Sequence, residues 1–417
     1  ASLAKREGTR FVFPAEDLRR RALPDARGLS GYNISTATQA DVLSAGVVVT
    51  VGEDVCASNP VFGWTVRRAP QHGATWIHVG PVPAAWRRLV HLHVDCPAGE
   101  EAAALSAICG VVVAKSPGAA ESSAAADAFL RHEFAPPARG VAEAAGLVAD
   151  PAKKVVIIVN QDSGEGSGHA TVGWAADLAL LTGRTGGAKG GLLVVKNDAN
   201  GQGVRDVIYD GGFADWADLG QAQAALRFGT IKAVVLLGVD PAGLDGFDGD
   251  LAGAEFTAAI DLFPTAATAR ADVVVPLAPL QEEEGSVVSF DGRITPFTRV
   301  FKPLAGFGAI AFLAEALTHA GGDRVDLAAA RRAIAAALPL YGSLTSPNPT
   351  AYLCDEAARQ PVVRRFTMAP LPSDGGGGAY RTATTFARVA EATLRTCLSG
   401  GPGGEPREAL EAAQPRG

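Results

Sequence analysis

Residues 164–169, GEGSGH, set three glycines between an apolar run at 155–159 and a helical pattern at 170–181. Backbone N–H groups in such a turn, and the helix N-terminus that follows, attract anions, so the segment has the outline of a dinucleotide loop. Two features count against that use. The third glycine of G-x-G-x-x-G falls on His169, and residues 185–189 hold no acid to meet a ribose. The same six residues also make a plain strand–turn–helix connection. His91 and His93 share one face of a short strand, which is the start of a metal pair, but no third ligand is near in sequence. Glu282, Glu283 and Glu284 gather three carboxylates in a turn, suited to a cation or to solvent. Cys56, Cys96, Cys109, Cys354 and Cys397 are scattered without C-x-x-C spacing, which argues against an iron–sulfur or zinc site in this chain. G-x-S-x-G, H-E-x-x-H and Walker A patterns do not occur. No catalytic, cofactor-binding or metal-binding residue is assigned on these grounds.

Three further segments have spacing of interest. VGEDVCASNP at 51–60 ends a strand in Gly52 and starts a helix near Asn59 and Pro60. Gly52 lets the backbone turn at the carboxyl edge of a sheet, where ligands of open α/β sheets sit, and a tight turn without a ligand uses the same residues. LGVDP at 237–241 repeats the pattern with Gly238, Asp240 and Pro241. KNDANGQG at 196–203 is rich in Asn and Gly, which suit backbone turns.

The elements that must position these residues read as alternating strands and helices. Apolar runs at 47–51, 74–79, 90–94, 155–159, 190–195, 232–237, 256–260 and 272–275 predict strands, and helical periodicity at 62–68, 100–113, 170–181 and 222–228 lies between them. This predicts an α/β fold of two doubly wound, mainly parallel-sheet units. The expected divisions are an N-terminal segment at 1–45 that docks on a partner, a first α/β unit at 46–150 and a second at 151–340. A helical, partly irregular tail follows at 341–417, with amphipathic helices expected at 310–320 and 327–338 and a last helix at 383–398. Gly52 and Gly238 are expected to face a shared cleft.

The 417 residues suffice for two or three domains, and 47% hydrophobic with 19% charged residues fits a well-packed globular chain. A net charge of −7 argues against a general nucleic-acid binder. No apolar run reaches the ~18–20 residues that span a bilayer. Ala1 stands where an initiator Met would, which reads as a processed or trimmed end, and the cysteine usage suits a reducing compartment.

The segment 271–303, ADVVVPLAPLQEEEGSVVSFDGRITPFTRVFKP, has a β-branched strand closed by Pro276, an acid-rich turn ending in Gly285, and a hairpin about Asp291-Gly292. This order resembles the molybdopterin oxidoreductase superfamily. That family usually has Glu at the position of Asp291 and often Thr at that of Phe290. Residues 51–60 resemble its V-x-G-x-N-P signature, and 196–203 its A-N-S-Q-G segment, which lies near pterin phosphates where a pterin is present. The pieces at 27–81, 191–219 and 224–317 are most similar to the cofactor-free C-terminal region of the large iron–sulfur (G-type) subunit of NADH:quinone oxidoreductase, respiratory complex I.

The resemblance implies a structural subunit or fragment of the complex I peripheral arm, with no cofactor on this chain. Iron–sulfur clusters and FMN are then expected on partner chains, including the cluster-bearing N-terminal half of its own family. It would sit peripherally, on the mitochondrial matrix side of the inner membrane or the bacterial cytoplasmic side of the membrane. The alternative is the pterin-binding part of a molybdenum or tungsten enzyme similar to formate dehydrogenase or formylmethanofuran dehydrogenase.

Overall fold

The computed structural model describes residues 25–83, 86–116, 126–161, 168–211, 224–241, 251, 253–303, 308–319, 321–323, 325–347, 349–360 and 362–371. Most of the glycine-rich turn at 164–169, and the helix expected at 383–398, lie outside them. Five strands build the main sheet: β1 (Val47–Val51), β2 (Thr75–Val79), β3 (Leu92–Val94), β4 (Val155–Asn160) and β5 (Gly190–Val195). All pair in parallel in the order β3-β2-β1-β4-β5. Every residue of β1, β4 and β5 is buried, as unbroken β-branched and apolar runs require when both faces are covered. Strand order reverses between β1 and β4, which makes their carboxyl ends the topological switch point.

Helices cover both faces. Among those on the main sheet are α1 (Gln39–Leu43), α2 (Val55–Ser58), α3 (Pro60–Arg68), α4 (Glu101–Lys115), α5 (Val141–Ala149) and α6 (Gly168–Leu181), and α7 (Gly201–Arg205), α8 (Ala309–His319), α9 (Leu327–Ala337) and α10 (Leu353–Ala358) follow later in the chain. Val47, Val49, Val155, Ile157 and Val194 pack against Leu105 and Ile108 of α4, Val148 of α5 and Trp174 of α6. The alternate residues Val48, Val156, Ile158 and Leu193 pack against Val42 of α1 and Phe62 and Val66 of α3. The period-two alternation of the strands thus sorts one sheet into two cores.

Three parallel strands, β6 (Ala233–Leu237), β7 (Phe256–Asp261) and β8 (Val273–Pro276), form a separate sheet in that order. The sheet boundary therefore differs from the expected division near residue 150. β4 pairs with β1 through Val47↔Val155, so chain from both sides of that position shares one sheet. The break falls between β5 and β6. The sequence hid this because β4 and β6 are both short β-branched runs, and pairing between parallel strands is a long-range choice.

The antiparallel hairpin β9 (Gly285–Val288) and β10 (Ile294–Phe297) follows. Its loop is longer than a two-residue turn. Gly292 N donates to Ser289 O at 2.8 Å, and Gly292 adopts φ +78°, which suits glycine. The described part of the tail is anchored. Phe366 stacks on Phe129 with centroids 3.9 Å apart, and Trp174 Nε1 donates to Ala369 O at 2.9 Å. Among the described residues, no helix is long and apolar enough to cross a membrane.

Candidate functional site

Gly52 follows β1 with φ +82° and Gly238 follows β6 with φ +61°. Their N–H groups donate to Val79 O and Ile260 O, the last or near-last carbonyl of the neighbouring parallel strand. The repeated Gly-x-Asp pattern therefore encodes the same strand-ending turn twice, in two different sheets. After Gly52, Asp54 caps α2 by accepting from Cys56 N at 2.8 Å and Ala57 N at 3.3 Å. Glu53 turns inward and is buried, where it accepts a hydrogen bond from Asn160 Nδ2 at the end of β4. Asn197 Oδ1, just past β5, accepts from Asn160 Nδ2 at 3.0 Å and Asn59 Nδ2 at 3.1 Å. The switch point is thus closed by a network of amides and one carboxylate drawn from β1, β4, β5 and the start of α3.

Beside it, at the ends of β4 and β5, lies a cavity of about 10 Å³ lined by Arg27, Asn33, Gln161, Lys196, Gln202, Arg205, Asp206, Tyr209 and Asp210. Lys196 is 2% exposed and Gln202 fully buried. Gln202 sits on α7 and donates through Nε2 to Asn33 O at 3.1 Å and Asp206 Oδ1 at 2.7 Å, while its buried Oε1 accepts nothing among the described residues. Asp206 opens a π-helical turn, Asp206–Asp210, that continues α7. Its other oxygen accepts from Tyr341 Oη at 2.6 Å. Burial pushes the Asp206 carboxyl up to about 6, against the pull of the Tyr341 and Gln202 hydrogen bonds. Burial also raises the Tyr341 phenol well above its ordinary range, so Tyr341 remains a donor. Asp210 pairs with Arg27. Three cations and two carboxylates therefore converge on a space large enough for about one water molecule.

The segment 196–203 supplies Lys196, Gln202 and the turn at Asn200. It also meets the hairpin: Val288 N donates to Asn200 Oδ1 at 2.8 Å, and a Cβ on Gly203 would lie 3.0 Å from Val288 Cγ2. Two motifs about 90 residues apart in the chain thus form one unit. The histidines serve structure. His93 Nε2 lies 2.7 Å from Gly80 O, and His91 Nδ1 accepts from Trp76 N at 3.1 Å. Among the described residues, no three His, Cys, Asp or Glu side chains gather as a metal site. Glu282 is buried at the start of the acid-rich turn, and Glu283 lies against Gly308. Gln161, Asp206 and Tyr341 were invisible as site residues in the sequence, because Gln161 and Asp206 line the cavity, and Tyr341 bonds to Asp206, from elements that have no motif of their own.

Cofactor sites are roughly 300–1,000 Å³, and the side chains present leave about 10 Å³. A pterin dinucleotide does not fit that space as the side chains stand, although Arg27, Lys196 and Arg205 outnumber Asp206 and Asp210 on its wall. The residues do fit a small polar plug at the sheet edge.

A sequence profile described as molybdopterin oxidoreductase matches residues 3–306. The NADPH-Fe(3+) oxidoreductase subunit alpha of Geobacter sulfurreducens is 26% identical over 279 residues, which cover 59% of this chain and 32% of that protein. The same figures hold for that subunit in a second strain. Acetylene hydratase from Pelobacter acetylenicus matches in structure with a TM-score of 0.57 at 13% identity, over 71% of this chain and 49% of that one. The chain thus spans about a third of the curated relative and half of the solved structure.

Proposed function

The chain belongs to the molybdopterin oxidoreductase family, and we propose that it serves there as a scaffold module without a redox centre of its own, docked in an electron-transferring assembly of the complex I peripheral-arm type. Its partners in this reading are chains that carry iron–sulfur clusters and FMN. The observation that supports it most is the filled switch point. Where open α/β sheets bind their ligands, Glu53, Asn160 and Asn197 bond to one another, and the adjoining cavity is about 10 Å³. A second support is the sheet β6-β7-β8. Val235, Leu237 and Val273 are 59%, 45% and 44% exposed on strands that parallel sheets normally bury. An assembly partner would cover them.

A second reading has its own observation. Arg27, Lys196 and Arg205 bring three cations to the carboxyl edge of the sheet. If the cavity opens in the assembly, they would meet the phosphates of a pterin cofactor, which supplies the redox or group-transfer chemistry when bound. One experiment separates the two. The intact assembly is purified with wild-type chain and with Lys196→Met, and molybdenum, tungsten and activity are measured per assembled complex. The scaffold reading expects neither metal and unchanged turnover in both. One equivalent of molybdenum or tungsten, lost in Lys196→Met, would replace it with the pterin reading.

A further inference from the structure

Helix α3 is amphipathic in an unusual sense. One face buries Phe62, Gly63, Val66 and, just beyond the helix, Ala69. Gly63 is pressed against α2 so closely that a Cβ there would lie 2.4 Å from Cys56 Cα. The helix is therefore fixed in orientation. Its other face presents Val61, 85% exposed, and Trp64, 70% exposed. Positions 61, 64 and 68 follow one another at helical spacing, and Arg67 and Arg68 are exposed in the last turn. Arg87 and Arg88, also exposed, come directly after Trp86, whose ring is in the same core cluster as Phe62 and Val66.

Single exposed apolar residues need no account. This cluster differs in three respects. A tryptophan and arginines on a rigid helix are the residue types that dominate binding energy at protein interfaces. Among the described residues, none of the four guanidiniums has an ion-pair partner. The nearby acids turn elsewhere: Glu53 bonds Asn160, and Asp54 caps α2. A chain of net charge −7 thus keeps a local basic, aromatic face.

We infer that the exposed face of α3, with Arg87 and Arg88, docks an acidic protein segment that offers an apolar recess for Trp64 and carboxylates for the arginines. The inference deepens the proposed function, because it rests on the chain working inside an assembly. A protein occupant is favoured over a membrane or a nucleic acid. The overall negative charge opposes long-range attraction to a polyanionic surface, and a lone anchoring ring beside a few arginines is the pattern of a hot spot.

The test places a photo-crosslinking phenylalanine analogue at position 64 of the full chain within its native assembly and identifies the attached peptide by mass spectrometry. Trp64→Ala and Arg67→Glu/Arg68→Glu chains, checked for unchanged circular dichroism, are measured for affinity to the identified partner across a salt series. The expected result is a crosslink to an Asp- and Glu-rich peptide of another protein. Affinity should fall on the order of 30-fold for Trp64→Ala, and charge reversal should abolish the salt dependence of binding. A crosslink to lipid, to nucleic acid, to a second copy of this chain or to nothing would overturn the inference, as would variants that bind like wild type. Iron analysis of the crosslinked partner tests the other claim separately. An acidic partner without iron leaves the docking face standing and removes the iron–sulfur part of the proposed function.

Discussion

Asp177 lies inside α6, and its two oxygens accept the backbone N–H groups of Thr367 and Met368, each at 2.7 Å. It thereby clamps the C-terminal strap onto the main sheet's helical layer. Burial outweighs those two bonds and pushes its carboxyl up from 3.8 to about 7. The folded chain then holds a proton that the unfolded chain has already released between about pH 4 and 7. Stability is present below that window and is lost as pH rises through it, by about 4 kcal/mol at most. Asp177→Asn does not titrate, so thermal melts from pH 5 to 8 should show the wild-type midpoint falling relative to the variant; a constant gap would contradict the buried-carboxyl account. Asp206 behaves differently because Tyr341 donates to it at 2.6 Å. Tyr341→Phe leaves one oxygen of a buried carboxylate without its donor and should cost about 1–3 kcal/mol at pH 8. At pH 5, below the value of about 6, the acid is protonated and the loss should shrink. Denaturant titrations at both pH values check it. Neither acid could be picked out in the sequence, where each is one Asp in an ordinary helical stretch. Their distant partners, Tyr341, Thr367 and Met368, lie more than 130 positions away.

Elements were more legible than side-chain partners. Strands with unbroken valine and isoleucine, such as VVVTV and VVIIVN, could be placed to within about a residue because local composition already demanded burial on both faces. Helix α1 is capped by Thr38, whose side chain and backbone N–H bond Asp41 in a capping box. Hairpin β9–β10 was recognisable as a hairpin, but its loop is longer than a turn at Asp291-Gly292 alone. The chain leaves the ladder at Ser289 to make the Ser289–Gly292 turn, and Asp291 accepts from Gln39 N at 3.2 Å instead of staying in a tight two-residue loop. Glycine effects also separate at this scale. Gly190 opens β5 with φ +85°, and a Cβ there would lie 1.9 Å from Val155 O on the paired strand. Gly73 has φ +92° with nothing within 4 Å. Gly73→Ala should cost about 1–2 kcal/mol, the backbone strain alone. Gly190→Ala meets both strain and a clash with backbone, and should cost more than about 3 kcal/mol or prevent folding. Equal losses in chemical melts would show that the close approach of β4 and β5 is not what demands glycine.

At the scale of the molecule, the two sheets have different surroundings, and the sequence concealed it. A run such as AVVLL at 233–237 predicts burial as firmly as VVVTV does, yet Ala233, Val235 and Leu237 of β6 are exposed while β1 is buried throughout. The register explains which face is left open. Ala233, Val235 and Leu237 align with Phe256, Ala258 and Ile260, and Val273 aligns with Ala258. Laterally paired residues of parallel strands point to the same side, so the exposed Val235, Leu237, Phe256 and Val273 share one face with the buried Ile260, while Val274, also exposed, lies on the other. Local unfolding follows buried contact. Amides of β1, β4 and β5 should therefore exchange hydrogen only through global unfolding, while those of β6 and β8 should exchange through a cheaper partial opening. In the isolated chain the main sheet should be protected at least about 100-fold more than β6 and β8, a gap of about 3 kcal/mol. In the intact assembly the gap should narrow, because a covered face adds contacts that opening must break. Exchange measured on both samples decides it: a gap that persists unchanged in the assembly would mean that no partner covers this sheet, and the scaffold reading would then have to rest on the face of α3 alone.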